Sequence, residues 1–240
     1  MIINSKDMHF QVLNEQIREA NDADITIENC NGQRYIGSGL DGKNITIQGT
    51  PGNALGAYLN GGNITVQGNT QDATGDTMNS GNIYIYGCSG DATGYAMRGG
   101  KIFVRDDTGY RAGIHMKAYE EKKPVLVIGG KAGSFLGEYQ AGGIIIVLGL
   151  NEQNRSPVGR FCGTGMHGGK IYLRCDTLPE DLPEQVLASE ATPEDMAEIR
   201  DLIEEFCTEF SYSMDKIMEK KFYVLVPNSK NPYKQLYTYN

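Results

Sequence analysis

The sequence predicts an all-β solenoid, a right-handed parallel β-helix with ~19-residue coils flanked by an N-terminal helix and a C-terminal helical and extended tail. Three observations predict it. Glycines recur at a fixed interval of 19 residues, at Gly37, Gly56, Gly75, Gly94 and Gly113. Apolar β-formers recur at the same interval, as Ile45, Ile64, Ile83 and Ile102 and as Ile47, Val66, Ile85 and Val104. Within each unit the two apolar positions alternate with other residues, the period of a strand with one buried face. A fixed period of about 20–50 residues marks a repeat architecture in which each unit buries its apolar side against its neighbours.

Each unit ends in one short strand, at Asn44–Gln48, Asn63–Gln67, Asn82–Tyr86 and Lys101–Arg105. Corner glycines supply the bends between flat faces, where the backbone needs φ > 0 or two backbones come close. The columns then describe the wall. Leu59, Met78, Met97 and Met116 form an inward column, and Ala54, Ala73 and Ala92 fit a tight turn. Asn44, Asn63 and Asn82 stack as an amide ladder. Thr46, Thr65, Tyr84 and Phe103 face outward, and the two aromatics in line point to a surface covered by another segment or a partner.

Before the regular repeats, residues 7–20 read as an amphipathic helix capped by Asp7, with Phe10, Leu13, Ile17 and Ala20 on one face. Its expected role is to close the first coil. A strand follows at Ile25–Asn29. After Asp106 the repeat loosens around two polar insertions, Ala118–Pro124 and Asn151–Pro157. Between them Gln140 falls in the column otherwise held by Leu and Met, the one local contradiction in the pattern. The last clear coil, Met166–Arg174, repeats Met97–Arg105 nearly residue for residue.

Composition then shifts. Residues 176–205 carry eleven Asp and Glu against Arg200 alone. Thr192, Pro193 and the following acids make a helix start, and Met196, Ile199, Ile203, Phe206 and Phe210 supply its apolar stripe. A short helix is expected at Ser213–Lys220, a strand or extended tail at Phe222–Val226, and a surface-laid aromatic segment at Asn231–Tyr237. The organisation is therefore residues 1–24 as an N-terminal helical cap, 25–175 as the Gly-rich parallel β-helix, and 176–240 as an acidic helical segment with an extended tail.

The chain has 240 residues, 31 glycines and a net charge of −8. An acidic balance argues against nucleic acid as a partner. No run of 18 apolar residues is present, and the start lacks the basic and apolar regions of a secretory signal, so a cytoplasmic protein without membrane contact is expected. Cys30, Cys88, Cys162, Cys175 and Cys207 are scattered, with no C-x-x-C pair, and read as free thiols rather than metal ligands. His115 and His167 fall in different columns, as a metal pair would not. Neither a nucleophile elbow nor a phosphate loop is present. Asp72 and Asp91, one unit apart with Asp76 nearby, read as turn residues bonding backbone amides, with an acid pair or cation corner as the sharper alternative. No catalytic, cofactor-binding or metal residue is assigned.

Longer motifs carry a resemblance: Asn31–Gly37, Asn69–Gly75, Gly90–Gly100, Gly109–Lys117, Phe135–Tyr139 and Gly163–Gly169. With these the chain resembles, over nearly its whole length, the Gly-rich GXGXG β-helix domain at the C-terminal end of the large subunit of glutamate synthase, in a stand-alone version. The resemblance implies a non-catalytic scaffold or assembly subunit of a split glutamate synthase. Glutamine hydrolysis and the reductive amination of 2-oxoglutarate would occur on partner chains, a glutamine amidotransferase subunit and a synthase subunit holding FMN and an iron–sulfur cluster. The family's Met at the Gln140 position is a departure that bears on core packing. The same fold family includes a subunit of formylmethanofuran dehydrogenase, the alternative reading. An independent β-helix enzyme on polysaccharides would need a secretory signal and clustered Asp, Lys and Arg on one exposed sheet, and neither is evident. A homo-oligomer is left open. Candidate contact elements are the Ala118–Pro124 and Asn151–Pro157 loops, Tyr84, Phe103 and the acidic helix Pro193–Phe206.

Overall fold

A computed structural model describes residues 1–151 and 156–228. In chain order the elements are β1 (Ile2–Asn4), α1 (Phe10–Glu19), β2 (Asp24–Asn31), β3 (Asn44–Thr50), β4 (Asn60–Gln67), β5 (Ser80–Ile85), β6 (Lys101–Val104) and β7 (Val125–Ile128). They continue as β8 (Ala141–Val147), β9 (Gly168–Arg174), β10 (Val186–Glu190), α2 (Pro193–Phe210), α3 (Met214–Met218) and β11 (Phe222–Pro227).

The strands form one 11-stranded sheet in the order β1-β2-β3-β4-β5-β6-β7-β8-β9-β11-β10. Neighbours from β1 to β9 are parallel, whereas β11 and β10 add antiparallel at the end. This corrects the expected right-handed parallel β-helix and its all-β class. Among the described residues the strands make a single large, mostly parallel sheet accompanied by three helices, an open α/β-type sheet. The physical reason lies in the second half of each unit, which is a turn rather than a strand on another flat face. In that turn Ala54, Ala73 and Ala92 stand at φ of 61°, 58° and 54°, which no strand allows. Their amides donate instead to the carbonyls of Asp72, Asp91 and Tyr110 in the next repeat, at 2.8–2.9 Å.

The columns read from the sequence set the strand register. Ile45, Ile64, Ile83, Ile102, Leu126, Ile145 and Ile171 lie side by side on successive strands. They and the parallel Ile47–Leu173 column are fully or almost fully buried in one core. The Asn ladder forms as expected: Asn63 Nδ2 donates to Asn44 Oδ1, and Asn82 Nδ2 to Asn63 Oδ1, both at 2.9 Å. Gly75 shows why the column needs glycine. It stands at φ +71°, and an added Cβ would lie 2.3 Å from Ile102 Cδ1.

At the N-terminal end, α1 is shorter than expected and is capped by His9, not Asp7. His9 Nδ1 accepts from Gln11 N at 3.4 Å, while Asp7 sits outside the helix at φ 59°. Leu13 and Ile17 enter the main core beside the first strands. The expected segment at Asn231–Tyr237 lies outside the described residues, as do positions 152–155 of the second insertion.

The opposite face of the sheet carries a second core under α2. Phe103, Val127, Ile146 and Tyr172 pack there against Ile199, Ile203, Phe206 and Phe210. The helix begins with a capping box: Thr192 Oγ1 accepts from Asp195 N at 3.2 Å, and Asp195 Oδ2 accepts from Thr192 N at 3.1 Å. Arg174, at the end of β9, is 8% exposed. It donates to the carbonyls of Ile217 (2.6 Å), Lys216 (3.0 Å) and Leu148 (3.2 Å), tying α3 to β8. Burial lowers the pKa of that guanidinium.

Candidate interaction surface

The acidic helix lays Asp195, Glu198, Glu205 and Glu209, four of its seven carboxylates, on the sheet. Lys101 Nζ meets Glu205 Oε2 at 2.6 Å, and Lys170 Nζ meets Asp195 Oδ1 at 2.9 Å and Glu198 Oε2 at 2.8 Å. Tyr172 donates to Glu198 at 2.8 Å, Tyr84 to Glu205 at 2.9 Å and Tyr86 to Glu209 at 2.9 Å. Lys170's bonds hold the Asp195 carboxyl below its ordinary range. Burial pushes Glu198 upward, but the bonds from Lys170 and Tyr172 outweigh it and leave its pKa lowered. Tyr84 and Tyr172 are pushed well up, first by burial and then by these carboxylate neighbours. The two outward aromatics offered as partner contacts are therefore taken by the chain itself. Tyr84 and Phe103 stack at 5.4 Å beneath α2, and Phe103 is fully buried.

The acidic corner has a backbone task. Asp72 Oδ1 accepts from Asp91 N at 2.9 Å, and Asp91 Oδ1 accepts from Tyr110 N at 2.7 Å, so each carboxylate fastens the next repeat. Asp76 accepts from Thr77 Oγ1 at 2.7 Å. Among the described residues, no group of three or more His, Cys, Asp or Glu is placed to hold a metal ion. His115 stacks on Tyr139, while the His167 ring lies 3.2 Å from the Gly165 carbonyl, in separate positions. Four cysteines are buried, and Cys88 is exposed. Burial pushes the thiols of Cys30 and Cys175 up to about 11 and that of Cys162 up to about 12. Among the described residues no helix is long and apolar enough to cross a membrane.

Gln140 is fully buried in the inward column, in line with Leu59, Met78, Met97, Met116 and Met166. Its Nε2 donates to the carbonyls of Gly143 (3.2 Å), Gly142 (3.3 Å) and Lys170 (3.5 Å). Its Oε1 has no hydrogen-bond partner among the described residues.

The exposed chemistry gathers on the ridge of turns. Two columns of non-glycine residues stand there at positive φ. One continues the alanine column as Arg111 (57°), Phe135 (63°) and Phe161 (63°). The other runs Tyr58 (57°), Thr77 (52°), Ala96 (49°), His115 (55°) and Tyr139 (54°). Arg111 lies 4.7 Å over the Phe135 ring, Phe135 stacks on Phe161 at 5.0 Å, and Arg111 Nε pairs with Glu138 Oε2 at 3.1 Å. Tyr95 meets His115 edge-on at 6.0 Å, and His115 stacks on Tyr139 at 5.1 Å. Tyr110 and Phe161 are 55% and 46% exposed, large values for aromatic side chains beside an ordered core. This ridge was not among the candidate contacts read from the sequence. The signal was present, since the 19-residue columns continue past the insertions into Arg111, Phe135 and Phe161. Of the expected contact elements, the Ala118–Pro124 loop is exposed from Tyr119 to Lys123, with Glu120 and Glu121 at its tip.

A sheet built from stacked units, covered on one face and bearing an exposed aromatic ridge on its turns, defines a repeat protein whose free chemistry is suited to contact. The chain belongs to the family of the GXGXG motif, whose profile matches residues 6–228, in agreement with the resemblance to the glutamate synthase domain. It is 47% identical over 251 residues to an uncharacterized protein of Methanocaldococcus jannaschii, covering 99% of this chain and 96% of that protein. In fold it is similar to a chain of the formyltransferase/hydrolase complex of Methylorubrum extorquens, solved with methylofuran. The TM-score is 0.58 at 17% identity, over 84% of this chain and 72% of that one.

Proposed function

We propose that the chain is a non-catalytic scaffold or assembly subunit of a multi-subunit redox complex. The particular complex we favour is a split glutamate synthase. Glutamine-dependent reductive amination of 2-oxoglutarate then takes place on partner chains, a glutamine amidotransferase subunit and a synthase subunit that carries FMN and an iron–sulfur cluster. The observation that carries this reading is how the charged side chains are used. Asp72 and Asp91 hold backbone amides, and Lys101, Lys170, Asp195, Glu198 and Glu205 clamp α2 to the sheet. The turn ridge exposes aromatic rings together with Arg111 and Arg160, residue types enriched at protein interfaces. Membership of the GXGXG motif family supports the glutamate synthase assignment.

A second reading places the chain as scaffold in a formylmethanofuran dehydrogenase-like redox complex. The likeness in fold to a chain of a formyltransferase/hydrolase complex favours it. The test is a tagged purification followed by assay of glutamine- and 2-oxoglutarate-dependent glutamate formation, with the chain alone and with its co-purifying proteins. Activity only in the mixture, with FMN on a partner, supports the first reading. Co-purification of a molybdenum- or tungsten-pterin enzyme supports the second. Turnover by the isolated chain overturns both.

A further inference from the structure

From Asp72 to Arg160 the turn ridge is polarised in charge, whereas the units before it expose Arg34, Tyr35 and Tyr58. The first two units of that stretch expose Asp72 and Asp91 beside the small Ala73 and Ala92, with Asp76 half-buried. Its later repeats expose Arg111 and Arg160 beside Phe135, Tyr139 and Phe161. Backbone bonds order these units as a ladder: Ala73 N to Asp91 O, Ala92 N to Tyr110 O, Arg111 N to Ser134 O and Phe135 N to Arg160 O, at 2.8–2.9 Å. Asp72 therefore lies two units before Tyr110, and Arg160 two units after it.

We propose that this ridge docks a second copy of the chain about a two-fold axis through the unit Tyr110–His115. The axis lies in the contact plane, perpendicular to the stack of units. It reverses the order of units while keeping each column opposite itself, so Asp72 of one copy faces Arg160 of the other. By the same operation Ala73 faces Phe161, Ala92 faces Phe135 and Ala96 faces Tyr139. Asp72 thus meets Arg160 and the rings of Phe135, Tyr139 and Phe161 meet alanine methyls, the large-against-small interdigitation that packed surfaces need, while Asp91 faces Ser134 and Tyr95 faces Glu138. A two-fold interface requires such self-complementarity, and the reversed polarity of the ridge supplies it. At the axis Tyr110 and His115 meet their own equivalents, as does Arg111. Its charge is already paired with Glu138, and its guanidinium lies over the Phe135 ring. This inference is independent of the scaffold reading, because it concerns the chain without other subunits.

The test is the oligomeric state of the full chain by sedimentation across a range of protein and salt concentrations. A dimer that weakens with salt is expected, since the outer contacts are charge pairs. Arg160→Glu places two like-charge contacts in each dimer and is expected to raise the dissociation constant about tenfold. Asp72→Lys has the same effect, and the double variant Arg160→Glu with Asp72→Lys recovers the dimer. Asp72→Lys also forfeits the bond to Asp91 N, so Phe161→Ala, on an exposed ring, is measured beside it and is likewise expected to weaken the dimer. Circular dichroism confirms folding of each variant. A monomer throughout, or a dimer unmoved by Arg160→Glu and Phe161→Ala, overturns the proposal.

Discussion

Gln140→Met should stabilise the fold. The wild-type amide has two opposing contributions. Its buried Oε1, beside Gly137 and the ends of Ile145 and Ile171, lacks a partner among the described residues. An unsatisfied buried acceptor of this kind costs about 1–3 kcal/mol. Its Nε2 makes three bonds at 3.2–3.5 Å, at or beyond the long end of the usual range, so their sum is nearer the roughly 1 kcal/mol of one good bond. Methionine has similar length, adapts its shape, and matches Met116 and Met166 on either side. The balance is a gain of about 1 kcal/mol, or a rise in melting temperature of about 2–4 °C for a chain of this size. Urea titration at equal m-value with a thermal melt measures it, and Gln140→Ala serves as the cavity control, with a loss of about 2–4 kcal/mol by analogy with other buried truncations. If Gln140→Met were as destabilising as Gln140→Ala, the amide would be well satisfied and the reasoning refuted.

Three further outcomes follow from the geometry. Thr192→Ala breaks the capping box of α2 and should cost about 1 kcal/mol in denaturant melts, with the near-ultraviolet signal of Tyr84 and Tyr172 changing as the helix loosens. Asp195 and Glu198 both have lowered folded pKa values, so their contribution is complete above the unfolded carboxylate range and lost as pH falls through the folded values. Melts in acid should therefore show a steep loss that Lys170→Met flattens, and an unchanged slope would refute the pairing. In thiol titration of the native chain, Cys88 should react fast, and Cys30, Cys162, Cys175 and Cys207 only on unfolding, because burial keeps their thiols protonated.

The strand register was legible because two periods coincide. Alternation by two picks out the buried face, and repetition by 19 places Ile64 beside Ile45 and Ile83. The start of α2 was legible for a local reason, since Thr192, Pro193 and Asp195 fix a helix N-terminus by their own bonds. The second half of each unit was not. Repetition shows that the turns stack, but it does not tell a strand on another flat face from a left-handed turn, and alanine at φ of about 60° is a state its propensity disfavours. Nor could the sequence place α2 over Tyr84 and Phe103, because that contact joins residues more than a hundred positions apart, as in the bond from Tyr84 to Glu205. The candidate surface was partly hidden for another reason: after the insertions the columns continue with different chemistry, so Arg111 and Phe135 do not look like successors of Ala92.

The choice of residues on that ridge argues for contact rather than architecture. A left-handed backbone position costs a side-chain-bearing residue roughly 1–2 kcal/mol relative to glycine. The chain uses glycine freely at such positions elsewhere, including Gly75 and Gly94 within the same turns. Had stability alone set the ridge, glycine would serve at Arg111, His115, Phe135, Tyr139 and Phe161 as well. Instead these positions carry large side chains that stack on one another along the ridge. Ring stacking at exposed sites recovers only about 0.5–1.5 kcal/mol per pair, which does not offset the backbone cost of the several residues involved. The missing stabilisation is supplied when the rings are covered, and in the two-fold arrangement Ala73, Ala92 and Ala96 of a second copy lie over Phe161, Phe135 and Tyr139.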